Sequence, residues 1–263
     1  MKNSWLKLRK DFFLRDLFRD FFDAKIYFDK ICKTYNNSSS VPFKMMDTWV
    51  GTEKENGPLW SLKEQSHKLF RNSHYKSSLF EHLFDWIMGS IFHESMKLKE
   101  DSYQVESYKP LLELEVSTHN DNKVLSKIIS EYFSLIEKAN HNLKEELESV
   151  NELFSKAIFH LREILIFHKN NILLLRFFLD NKKDIEKVFG KGSFTSLTNQ
   201  MFPKGIHEAY LLAAKDCTEN GWYKDAEKYL KNALKADAKN KEAQTLFKEL
   251  KDKAGFENAK EKP

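Results

Sequence analysis

The sequence predicts an all-α protein, in which an N-terminal helical module is followed by C-terminal helix-turn-helix repeats and a capping helix. Three observations predict it. Only 8 Gly and 5 Pro punctuate 263 residues, while 14% are aromatic and 31% charged, a balance that suits long helices better than a β-sandwich. Apolar residues recur at three-four spacing through most of the chain. In the last quarter, small and large residues alternate on either side of an Asn-Gly pair, as two interlocking helices require.

The first helix is expected from Ser4 to Lys33. Leu14, Leu17, Phe18, Phe21 and Phe22 mark one face, Tyr27, Phe28 and Ile31 continue it, and Arg alternates with Asp on the wet side. Asn36 to Ser40 reads as a loop, and Val41-Pro42 is expected to keep the following residues out of helix. Phe43 to Trp60, holding Gly51, Gly57 and Pro58, reads as an irregular connector that carries Trp49 and Trp60 back onto a core. Helix resumes at Ser61, an N-cap with Glu64 completing a capping box.

A further helix runs from Ser77 or Ser78 to about Lys99 and carries Phe80, Leu83, Phe84, Ile87, Ile91 and Met96. Gly89 inside it permits close approach of a neighbour, at some cost in helix propensity. Tyr108-Lys109-Pro110 breaks the pattern. The polar stretch Ser117 to Asn122 then places a domain boundary between residues 1–118 and 119–263. Beyond it, Lys123 to about Glu148 has a wide apolar face of Leu125, Ile128, Ile129, Tyr132, Phe133, Leu135 and Ile136, and Val150 to Phe167 follows as a largely buried run.

The stretch from His207 to Leu250 is the most organised. Ala213 and Ala214 on one predicted helix face Ala226 and Ala233 on the next, with Tyr210, Tyr223 and Leu230 as bulky partners, and Asn220-Gly221 supplies the reversal. This stretch resembles a tetratricopeptide repeat (TPR). Gly221 matches the glycine of the family's inter-helix turn, Tyr223 the aromatic after it, and Ala226 and Ala233 the two small positions of the second helix. Ala233 to Asn240 is similar to the family's A-L-x-x-D-P-x-N exit. Two positions depart from it: Ala238 stands where proline is usual, and Cys217 where a large aromatic is usual. Asp237 and Asn240 are expected to cap in the proline's place.

The clearest repeat spans 207–240, and 241–253 reads as a capping helix with a polar outer face. One repeat cannot bury its own apolar face, so neighbours are expected upstream. Leu153 to Leu165 followed by Ile166 to Asn171 is the candidate, since Ala157 lies 69 residues before Ala226, close to two periods of about 34. The intervening repeat would hold Ile172 to Asn199, although Gly190 and Gly192 interrupt it. The lysine-, asparagine- and phenylalanine-rich style is similar to small repeat-containing proteins of spirochaetes.

The resemblance implies a concave groove that holds peptides or partner proteins, with Glu208, Leu211, Lys215, Thr218 and Glu219 facing it. Lys215 sits on the face used by the family's carboxylate-clamp subtype, but Leu211 interrupts that pattern, so capture of a peptide C-terminus is not implied. The expected function is a non-enzymatic protein–protein interaction or scaffold protein. Its partner is another protein or peptide, and the N-terminal helices offer a second surface for self-association.

Two other classes compete with this reading. His82, Asp85, His93 and Glu94 lie on one predicted helix and make the sharpest catalytic or metal set, yet His82-x-x-Asp85 reverses the Glu-x-x-His order that helical bundles use and no second pair supports it. His67 and His74 share a face but stand roughly 10 Å apart along the axis, too far to hold one metal together. The alternative at the N-terminus is peripheral membrane attachment, with Trp5, Leu6, Phe12, Phe13, Lys7, Arg9 and Lys10 in a headgroup layer. Asp11, Asp16, Asp20, Asp23 and Asp29 would repel anionic lipid, which favours packing.

Other chemistry finds no sequence signal. Phosphate-cradle, dinucleotide and nucleophile-elbow motifs do not occur, and Gly190-Lys191-Gly192-Ser193 reads as a loop between helices, so no cofactor is expected. A net charge of +4 gives no mandate for nucleic acid. Cys32 and Cys217 are too distant in sequence to form a metal-binding pair and read as buried thiols. No apolar run approaches the ~18 residues of a membrane span, and no signal-peptide core is evident, so the chain reads as cytoplasmic.

Overall fold

The computed structural model describes the backbone of residues 2–38, 40–51, 55–71, 79–117 and 122–260. Side chains are described for 12–38, 40–51, 55–68, 82–107, 130, 133–135 and 137–251. Among the described residues eleven helices follow one another: α1 (Lys2–Ser38), α2 (Phe43–Val50), α3 (Pro58–Arg71), α4 (Leu79–Ser117), α5 (Asn122–Phe167), α6 (Ile172–Asp180), α7 (Lys182–Phe189), α8 (Ser193–Met201), α9 (Ile206–Glu219), α10 (Tyr223–Ala236) and α11 (Lys241–Lys260). Among the described residues the one extended pairing is an isolated bridge between Gly51 and Asn56. The all-α class is therefore as the residue pattern predicts.

The contacts divide the chain into two compact units, Asp16–Leu161 and a second built from Arg162–Pro263 with the first fifteen residues. The boundary expected at residues 118–119 lies outside the described residues.

In the first unit, Phe154 of α5 is the centre of an aromatic core. Phe21 and Phe28 of α1 and Trp49 of α2 surround it at ring separations of 5.6, 5.2 and 6.4 Å. Trp49 is fully buried and its indole N–H donates to the Ala24 carbonyl at 2.9 Å, so burial leaves no unmet donor. At the far end of α1 the Tyr35 hydroxyl donates to the Asn140 carbonyl at 3.1 Å, tying α1 to α5. Lys99 of α4 reaches the Gly51 carbonyl at 2.9 Å and Asp47 of α2 at 3.0 Å, and Tyr103 donates to the same carboxylate.

Several expected boundaries move. α1 continues through Asn36 and Asn37 to Ser38, whose hydroxyl donates to the Thr34 carbonyl at 2.9 Å and so satisfies the last turn. Phe43–Val50 is helix rather than connector, because proline restricts the residue before it and Pro42 itself serves as N-cap with φ −58 and ψ 131. α2 ends at Gly51 with φ 99; a Cβ there would lie 2.4 Å from the Gly57 nitrogen, so only glycine fits. α3 opens at Pro58, one turn before the expected cap at Ser61, since proline is well suited to a first helical position. α4 passes Tyr108-Lys109-Pro110 unbroken: proline removes one hydrogen bond of a 39-residue helix, a local cost of about 3 kcal/mol. α5 joins the two runs expected at Lys123–Glu148 and Val150–Phe167 into one helix, with neither Gly nor Pro between them.

The second unit takes in the last turns of α5, from Arg162 to Phe167. α5 runs unbroken from Asn122 through Leu153 to Leu165, so no turn precedes these residues to make them the second helix of an upstream hairpin repeat. Ile172 to Asn199 forms the short helices α6, α7 and part of α8, with Asn181 between α6 and α7 and Gly190 and Gly192, at φ 98 and 81, between α7 and α8, in place of a two-helix repeat. Asn171 caps α6 by accepting from the Leu174 N–H at 3.0 Å. Phe178 of α6 and Phe194 of α8 stack at 4.7 Å.

Candidate partner-binding site

The region that carries the strongest sequence signal folds as a helical hairpin. α9 ends in a turn in which the Trp222 N–H donates to the Cys217 carbonyl at 2.8 Å and the Gly221 N–H to Thr218 at 3.3 Å. Gly221 takes φ 75, the left-handed conformation that this Schellman arrangement requires. The two helices then mesh. Ala209, Ala213, Ala214 and Cys217 on α9 and Ala226, Leu230 and Ala233 on α10 are buried. Tyr229 is buried too and stacks on Tyr210 at 6.4 Å, so the bulky partner at the centre is Tyr229, while Tyr223 is half-buried. Cys217 fills, as a small apolar group, the space where the repeat pattern expects a ring; burial pushes its thiol up to about 11.

α11 starts at Lys241 as expected from its capping residues and continues to Lys260, past the expected end at residue 253. The Asn240 side chain accepts from the Ala243 N–H at 3.0 Å and that of Asp237 from the Lys239 N–H at 3.1 Å, replacing the stop that a proline would have provided.

A polar and aromatic cluster locks the hairpin to α6. Arg176 pairs with Asp225 at 2.9 Å and Asp216 at 3.8 Å, and its guanidinium lies over the Trp222 ring at 4.6 Å. The Tyr229 hydroxyl donates to Asp180 at 2.7 Å, and Lys228 meets the other oxygen of that carboxylate at 2.7 Å. Burial first, and then the bond to Asp180, raises the Tyr229 phenol well above its ordinary range. Asp216 is also raised, because burial outweighs the attraction of Arg176. None of these residues belongs to a local sequence motif. The available signal was Arg176, a lone charge inside the apolar run Ile172 to Leu179, a residue that needs a partner when its neighbours are buried.

The five residues expected to face a groove divide by environment. Leu211 is 6% exposed and belongs to the hairpin core, which corrects its expected groove-facing role: its position on α9 points inward with Ala214. Glu208 is half-buried and pairs with Lys204 at 3.6 Å. Lys215 reaches Glu242 of α11 at 2.6 Å. Thr218 donates its hydroxyl to the Ala214 carbonyl at 2.9 Å. Glu219 is exposed. A charged edge of Glu208, Lys215 and Glu219 thus runs along α9 towards α11.

The other candidates are placed as follows. Asp85 accepts from the Ser66 hydroxyl of α3 at 2.5 Å, Glu94 pairs with Lys97 at 3.0 Å, and His82 and His93 are exposed. Among the described residues no three His, Cys, Asp or Glu side chains gather closely enough to hold a metal ion. His67 is half-buried, whereas His74 lies outside the described residues. The side chains of Trp5, Leu6, Lys7, Arg9, Lys10 and Asp11, on which a headgroup contact would rest, also lie outside them. Among the described residues no helix is long and apolar enough to cross a membrane.

The loop at Gly190-Lys191-Gly192-Ser193 connects α7 to α8, and an internal carboxylate fills its amide cradle. Glu186 accepts from the Phe194 N–H at 3.0 Å and from the Gly192 N–H. Comparison with protein-family models, with curated proteins and with solved structures finds no match.

Proposed function

We propose that the protein is a non-enzymatic interaction or scaffold protein, whose C-terminal repeat-like module docks another polypeptide. The observation that carries this reading is the α9–α10 hairpin. Its interior is meshed by alanines and tyrosines, Arg176 and Tyr229 tie it to α6, and its charged α9 edge remains partly open. A stiff platform with an exposed charged rim is suited to holding an extended or helical guest, because little entropy is lost in ordering the platform itself. In this reading Glu208, Lys215, Thr218 and Glu219 contact the guest, and Leu211 supports them from beneath.

The test uses the intact chain. Lys215→Glu together with Glu219→Lys exchanges the positive and negative positions of the edge, at unchanged net charge and without touching the buried mesh. Affinity purification from native cells should recover a partner with the unaltered chain and lose it with the variant. Equal recovery from both would remove the α9 edge from the account.

A further inference from the structure

α4 carries a glycine that no described neighbour requires. A mid-helix glycine costs about 1 kcal/mol relative to alanine, and such a residue is usually explained by a neighbour too close for a side chain. At Gly89 no described atom lies within 4 Å of the position a Cβ would take. Around it the helix surface is open and aromatic: Trp86 is 65% exposed, Leu83 41%, and His82 and His93 are also exposed.

These residues form a regular stripe. At 100° per residue, His82, Trp86, Gly89 and His93 fall within a band about 60° wide, spaced four, three and four apart as in the seam of paired helices. The opposite side of α4 is already spent, with Phe84, Ile87, Met88, Ile91 and Ser95 buried in the first unit. The seam is also self-complementary. With a second α4 laid antiparallel across a two-fold axis at the height of Ile87 and Met88, Trp86 of each copy meets Gly89 of the other, and His82 meets His93. The large ring and the missing side chain are thus complementary in shape, and the match is made twice.

The flanks agree in charge. In this register Asp85 of one copy lies beside Phe92 of the other, and Phe92 carries Lys63 of α3 over its ring at 3.7 Å. Each Asp85, which accepts from Ser66 of its own copy, therefore lies on the flank where the other copy carries Lys63, a pairing of opposite charges. Trp60, 38% exposed and in edge contact with Phe92 at 5.4 Å, extends the apolar area on the same side. The seam spans about 16 Å of helix. Two tryptophans and Leu83 from each copy supply the apolar centre of the roughly 800 Å² per partner that a stable pair needs.

We infer that the protein forms a two-fold dimer through α4, with Trp86 of each copy seated on Gly89 of the other. The interface lies wholly within the first unit and is independent of partner docking by the C-terminal hairpin.

Sedimentation velocity of the full chain across the micromolar range tests it, with far-UV circular dichroism to confirm that helix content is unchanged. The unaltered chain should sediment as a dimer. Trp86→Ala and Gly89→Leu should each weaken the dimer by about tenfold or more. Gly89→Ala should separate two effects, raising the thermal midpoint of the monomer while weakening association. Lys63→Glu should weaken the dimer, and adding Asp85→Lys should restore part of it. A chain that stays monomeric throughout would overturn the inference; a dimer indifferent to both Trp86→Ala and Gly89→Leu would overturn it too.

Discussion

The attachment of the hairpin to α6 is open to a quantitative test through Tyr229→Phe. The ring is buried and would stay in place, so the substitution removes only the hydroxyl that donates to Asp180 at 2.7 Å. A hydrogen bond to a charged acceptor contributes about 1.5–3 kcal/mol. Asp180 is 37% exposed and keeps Lys228 at 2.7 Å, so water and the lysine take over part of the lost interaction. The expected loss is therefore about 1 kcal/mol. Denaturant titration read by circular dichroism would measure it, and a double-mutant cycle with Asp180→Ala isolates the pair. The coupling should be about 1 kcal/mol in a cycle of this kind. The pH dependence has a defined sign as well. A phenol raised in the folded state lends its full stabilisation below the ordinary tyrosine range near 10, and loses it as pH climbs through the raised value. A coupling indistinguishable from zero would mean that α6 and α10 are not joined by this bond.

Three further outcomes follow from particular sites. Burial, and then Asp101 and Glu94, lifts Glu146 to about 7, so the folded state holds a proton that the unfolded state has released, and stability should fall as pH rises from about 4.5 to 7; Glu146→Gln should flatten this by about 1 kcal/mol after solvent screening, and denaturation midpoints at the two ends of the window check it. Gly221→Ala should cost about 1–2 kcal/mol, since the left-handed turn remains but a Cβ meets nothing, whereas Gly51→Ala should cost more because the added carbon collides with backbone; thermal melts of the pair decide the order. Cys217 is fully buried and its thiol is raised to about 11, so in a Cys32→Ser chain, which removes the half-buried second thiol, it should resist a thiol reagent at pH 8 when folded and react at once in denaturant; prompt labelling of that folded chain would contradict the packing of α9.

The sequence was most informative where local chemistry and tertiary packing agree. The seam of α9 and α10 could be read from Ala213, Ala214, Ala226 and Ala233, because small residues opposite large ones make sense only in a meshed pair. Gly221 and Asn240 were legible because a left-handed turn and an N-cap are single-residue demands. Boundaries governed by competing effects were not. Pro110 carries a strong local breaking signal, yet α4 runs through it; Asn36 to Ser38 read as a loop, yet the helix extends over them. Leu211 was misplaced for a similar reason: a register borrowed from a repeat pattern sets the phase of a helix only to within about 100°, one residue's rotation, enough to turn a groove position into a core one. Arg176 stood out as a lone charge in an apolar run, but the partners of Arg176 and Asp180, namely Asp225, Tyr229 and Lys228, lay beyond reach because they are 48 or more residues away and joined only by the fold.

Site-specific photo-cross-linking in native cells tests the central claim most directly. A photoreactive residue at Glu219, on the open α9 edge, should capture a discrete second polypeptide, and one at Lys224, on the exposed side of α10, should not. Capture from Lys224 alone, or from neither position, would contradict docking on this face.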